Sequence, residues 1–79
     1  MDRDLESKVF KIVAEVTGKD ISQVNPSTAL VGGLGMDSAA GLLLLVELED
    51  AFGVTISDKE AEIMVTAGNV VDCLRQLTR

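Results

Sequence analysis

The chain has 79 residues, 13 of them acidic and 7 basic, for a net charge of −6, with a single cysteine and no histidine. That balance excludes the basic footprint of a nucleic-acid binder, an intrachain disulfide and any Ser-His or Cys-His nucleophile pair. A zinc site would have to be built from carboxylates alone, so no metal is expected. So short a chain is read as one domain, residues 1–79, whose stability comes from helix packing.

Leu5, Val9, Ile12, Val13 and Val16 recur at helical spacing and predict a first helix from Asp4 to Thr17. Asp2 or Asp4 would cap it, and Gly18 would stop it. Met1 to Glu6 carry no apolar core behind a basic start, so no export signal is expected. With the unpaired Cys73, that suits a reducing cytoplasm. Lys19 to Gly35 reads as a long connection. Within it Ile21 and Val24 are apolar pegs, Asn25-Pro26-Ser27 is a turn, and Leu30, Val31 and Leu34 fasten the segment to the core. A loop this long in so small a domain is functional when it is ordered. Gly32, Gly33 and Gly35 would allow unusual backbone angles near Ser38.

A second helix is predicted from Ser38 to Ala51, with Gly53 just past its end. Gly41, Leu44, Leu45, Leu48 and Phe52 fall on its core side, and Glu47, Glu49 and Asp50 on the other. Ala39, Leu43 and Val46 lie among those acids and form an exposed apolar stripe beginning beside Ser38. Gly41 inside a helix is unfavourable relative to alanine by roughly 1 kcal/mol, which marks close packing or room for a ligand. Val54 and Ile56 are β-branched but have no second strand to pair with. Ser57 and Glu60 form a capping box that opens a short third helix to Met64. Thr66 to Asn69 open a fourth, with Val70, Val71, Leu74 and Leu77 inward and Cys73 a small, partly buried hydrophobe. The sum is an all-α, four-helix bundle with a long first loop and a short third helix. The longest apolar run, Ala39 to Val46, is far too short to insert in a membrane.

The chemistry concentrates at Ser38. The stretch before it lacks the glycine of a nucleophile elbow and the lysine of a phosphate-binding loop. No catalytic residues are therefore expected, and the chain is read as not an enzyme. A serine at a helix N-terminus can instead be a substrate, because the N–H groups there favour an attached phosphate. Plain helix capping by Asp37 and Ser38 is the bland alternative.

Leu34, Gly35, Met36, Asp37 and Ser38 resemble the attachment motif of the acyl carrier proteins. The segment from Val46 to Asp58 resembles the end of that family's second helix and its following loop, and Ala61 to Asp72 its last two helices. The resemblance implies that Ser38 is esterified by 4′-phosphopantetheine from coenzyme A. Asp37 would serve as cap and recognition element for the phosphopantetheinyl transferase. It implies a monomeric carrier of acyl thioesters for fatty acid, lipid or secondary-metabolite biosynthesis. An acyl-loading ligase or acyltransferase and a ketosynthase or other acyl-processing enzyme would be its partners. An aminoacyl or peptidyl carrier, or a helical interaction module without the group, are the alternatives.

Against the family pattern, Ala40 and Leu43 stand where acids are usual, Ala39 where leucine or isoleucine is, and Gly32 and Gly33 where acids are frequent. Glu49, Asp50 and Glu62 match acidic recognition positions. The expected partner face is therefore apolar near Ser38, through Met36, Ala39, Leu43 and Val46, and acidic beyond, through Glu47, Asp50 and Glu62. Such a face suits a specialised pathway. The resemblance also implies an acyl-chain cavity, lined by Leu44, Leu48, Phe52, Ile56 and Met64.

Overall fold

The computed structural model describes residues 2–79. In chain order they form α1 (Asp2–Thr17), a 3-10 turn (Ile21–Gln23), α2 (Leu30–Leu34), α3 (Ser38–Phe52), α4 (Asp58–Glu62) and α5 (Ala67–Leu77). α1 packs against both α3 and α5. The all-α bundle read from periodicity is the observed fold, with one helix more than expected. Among the described residues the only β pairing is an isolated bridge between Ala29 and Thr66.

Four of the helices contribute to one core. Val9 and Val13 come from α1, Leu30 and Leu34 from α2, Leu44 and Leu48 from α3, and Val70 and Leu74 from α5. Ile56 and Met64 fill it from the two ends of the α4 region. Burying one such side chain is worth about 1.5–3 kcal/mol.

The start of α1 differs from expectation. Asp4 lies inside the first turn, not at the cap, where its charge still suits the helix dipole. The cap expected from Asp2 falls outside the described side chains. Gly18 ends the helix in the left-handed conformation, φ 69°.

The expected long loop is largely structured. Asp20 accepts from the Ser22 N–H at 2.9 Å, and Gln23 reaches back to the Asp20 N–H at 3.2 Å. These bonds cap the 3-10 turn at its start. Val24 is buried but Ile21 is 48% exposed, so only one of the two pegs holds. Val24 already has extended angles, φ −103° and ψ 120°, so the chain leaves the turn there and the two side chains diverge. In α2, Leu30 and Leu34 face inward one helical turn apart, while Val31 is 67% exposed. Val31 therefore fastens nothing. Gly32 and Gly33 are helical, and Gly35 is the one glycine of the three with positive φ.

This connection is bonded to the start of α5. The Leu30 N–H donates to Val65 O at 2.9 Å, Ala67 N–H to Thr28 O at 3.0 Å, and Gly68 N–H to Pro26 O at 2.9 Å. The first donors of α5, which no helix can satisfy internally, are thereby paired. The approach is so close that a Cβ on Gly68 would lie 2.6 Å from Pro26 O.

Candidate functional site

Ser38 is the first residue of α3 and is exposed to solvent. Two residues separate it from Gly35, whose left-handed backbone, φ 68°, ends α2. The Gly35 N–H donates to Val31 O and the Met36 N–H to Leu30 O, both at 3.0 Å. The chain reaching Ser38 is thus fixed from behind. Asp37 takes the N-cap, and its Oδ1 accepts from the Ala40 N–H at 2.8 Å. Its main-chain oxygen accepts from the Gly41 N–H at 2.8 Å. The serine hydroxyl is left at the mouth of a 15-residue helix, whose dipole favours an attached anion.

A cleft of about 370 Å³ opens beside it, lined by Leu30, Met36, Ser38, Gly41, Leu42, Leu44, Leu45, Ala61 and Met64. Ser38 is the single polar side chain in that lining. One wall is α3 itself, where Ser38, Gly41 and Leu45 share a face at positions i, i+3 and i+7. The opposite wall comes from the α2 end and the α4 region. An exposed serine with an apolar cleft at its foot fits a phosphate-linked arm that carries an apolar group.

The cavity expected from the sequence needs correction. Leu44 and Met64 do line the cleft. Leu48 has no exposed surface and is core. Ile56 is buried elsewhere, and its N–H donates to Glu49 Oε2 at 2.8 Å. Phe52 lies at the far end of α3 beneath Lys8, whose Nζ sits 5.0 Å from the ring centroid and 3.3 Å from Ala51 O. The lining residues not expected there are Leu30 from α2, Met36 from the turn after it, Leu42 and Leu45 from α3, and Ala61 from α4. No pattern within one element brings them together.

The expected partner residues divide as follows. Ala39, Glu47, Asp50 and Glu62 are exposed, and Met36 is half-buried in the cleft wall. Val46 is 58% exposed and Leu43 47%. Leu43 and Glu47 also edge a groove against Ile12 and Val16 of α1, so Leu43 leans partly on that helix. Leu42, placed on no face by the sequence reading, is 67% exposed and is the most open leucine of α3. Glu49 is half-buried, and one of its carboxylate oxygens, Oε2, accepts from the Ile56 N–H, so it is less open than the other acids of α3. Cys73 is buried, and burial first, then the Glu60 charge, pushes its thiol pKa up. It is a packing residue with little thiolate at neutral pH.

Comparison with known proteins agrees with this geometry. The family model described as a phosphopantetheine attachment site matches residues 7–74. The acyl carrier protein of Desulforapulum autotrophicum is 41% identical over 73 residues, spanning 91% of this chain and 95% of that one. A solved structure of the acyl carrier protein from Enterococcus faecalis superposes with a TM-score of 0.81 at 31% identity, covering 98% of each chain. Carriers of this kind are not enzymes; they hold a covalent 4′-phosphopantetheine and are served by phosphopantetheinyl transferases and acyl-processing enzymes. Among the described residues no helix is long and apolar enough to cross a membrane. The serine at the helix mouth, the cleft beside it and these matches place the chain in the acyl carrier protein family.

Proposed function

We propose that Ser38 is the attachment residue and that the cargo is an apolar acyl chain, not an aminoacyl or peptidyl group. The observation that carries this is the cleft that begins at Ser38 and offers no other polar side chain. An amine or amide buried there would lose its hydrogen bonds to water without replacement, a penalty of about 1–3 kcal/mol. When attached, phosphopantetheine supplies the terminal thiol through which an acyl group is held as a thioester. The chain's own residues expose the hydroxyl, cap the helix through Asp37 and shelter apolar surface.

Partners would be met by α3. Leu42, Leu43 and Val46 present apolar surface near the serine, and Glu47 and Asp50 present charge beyond it; Glu62 adds charge from α4. A partner with a basic rim and an apolar centre fits that face. The missing acids at Ala40 and Leu43 favour enzymes of a specialised lipid or secondary-metabolite pathway over those of general fatty acid synthesis. We place the carrier in the cytoplasm, as a monomer.

The test is direct. Apo protein incubated with coenzyme A and a broad-specificity phosphopantetheinyl transferase should gain the mass of one phosphopantetheine, and Ser38→Ala should gain none. Added mass that persists in Ser38→Ala removes the assignment of the serine. Enzymes of general fatty acid synthesis should use the loaded protein poorly, and Ala40→Asp with Leu43→Glu should improve them. Equal use of the wild type and a standard carrier would remove the specialised reading.

A further inference from the structure

We infer that Gly41 is a specificity-determining position of this carrier: the side chain it lacks keeps the cleft open from Ser38 inward for an acyl chain. The inference rests on the reading of the cleft as an acyl site.

A glycine within a helix has three ordinary explanations. The first is a backbone that other residues avoid. Gly41 is helical, however, and the positive φ values belong to Gly18, Gly35 and Gly53. The second is close packing, as at Gly68, where a Cβ would lie 2.6 Å from a carbonyl oxygen. A Cβ on Gly41 would meet one atom within 4 Å, the terminal methyl of Met36 at 3.8 Å, which is ordinary contact. Neither conformation nor packing requires glycine here. The third explanation is space, and Gly41 borders space that matters. It is the middle rung of the wall formed by Ser38, Gly41 and Leu45. Any chain entering from Ser38 passes it before reaching Leu45, Ala61 and Met64. The residue across from it, Met36, is unbranched and adjusts to what it touches. A side chain at position 41 would stand in the path, whereas its absence lowers helix stability.

This predicts opposite effects on stability and on sheltering. Wild type, Gly41→Ala and Gly41→Leu are each converted to the holo form and to the octanoyl and decanoyl forms, using coenzyme A or its acyl derivatives, with loading verified by mass. The Tm of each acyl form is compared with that of its own holo form. In the wild type the acyl chain should raise Tm, because it occupies a site present only in the folded state. Holo Gly41→Ala should melt roughly 2–8 °C above holo wild type, from the helix preference alone. Its acyl shift should be smaller than wild type, and that of Gly41→Leu should vanish. Where Gly41→Leu does not fold, Gly41→Ala decides. An acyl shift in Gly41→Ala as large as in wild type overturns the role of Gly41 and leaves the cleft reading standing. No acyl shift in the wild type overturns both.

Discussion

At the scale of single residues, short polar side chains do much of the positioning. Asp20, Asp37, Ser57 and Thr66 each accept a backbone N–H at a helix or turn start. Such a cap is typically worth about 1 kcal/mol. Ser57 and Glu60 satisfy one another's backbone donors, at 3.1 and 2.9 Å. The bonds from Ser57, backbone first and side chain second, hold the Glu60 carboxyl below its ordinary 4.5. A carboxyl lowered in the folded state contributes stability above its unfolded value and loses it as pH falls through the folded one. The contribution of this cap to stability should therefore be full above pH 4.5 and fall away as the pH drops below it. An NMR titration of Glu60 should find a midpoint below 4.5 that moves back up in Ser57→Ala. A midpoint unmoved by that substitution would show that the hydroxyl plays no part.

At the scale of elements, α2 was the least legible. Leu30–Leu34 is a five-residue helix with two glycines, and such a segment does not hold alone in water. What holds it is tertiary: Leu30 and Leu34 are buried, and the Leu30 N–H is bonded to Val65 O. No local pattern could report a partner 35 residues away, so the segment read as loop. The Asp20 and Gln23 box, by contrast, is a cap signal carried by four adjacent residues. The longer helices were readable because α1 and α5 alternate faces cleanly, and Gly53 closes α3 as expected. Chemical denaturation can check the account of α2. Leu30→Ala should cost about 2–5 kcal/mol, as for a fully buried leucine. Its neighbour Val31→Ala should stay within about 0.5 kcal/mol of wild type. Similar losses at both positions would mean that Val31 anchors the segment after all.

At the scale of the whole molecule, charge is distributed very unevenly. Residues 37–62 hold seven acids and one base, and the remainder of the chain balances at six of each. The net −6 therefore belongs entirely to the stretch that begins beside Ser38 and runs through α3 and α4. A field so placed would orient a basic-rimmed partner, as proposed above, toward the serine. Screening shortens its reach from about 10 Å at 0.1 M salt to about 3 Å at 1 M. Binding to a transferase with a basic face should weaken over that range, measured by titration calorimetry. Glu47→Gln with Asp50→Asn should flatten the salt dependence, whereas Val46→Ser should lower affinity without changing it. A salt dependence untouched by removing both acids would place the recognition elsewhere on the surface.

The sequence by itself determined what is local: the serine at the helix mouth, the caps, the left-handed glycines that end helices, and the stretch that carries the charge. Each follows from a residue and its near neighbours. Tertiary structure alone decided where Leu42 sits. Periodicity sets Leu44 and Leu45 on the core side of the helix and Leu43 on the outer one, but assigns Leu42 to neither. Packing leaves Leu44 2% exposed and Leu42 67% exposed. The cleft was likewise decided only in three dimensions, because its walls come from α2, α3 and α4. Sequence periodicity reports the face of one helix; a space between helices exists only once they have packed.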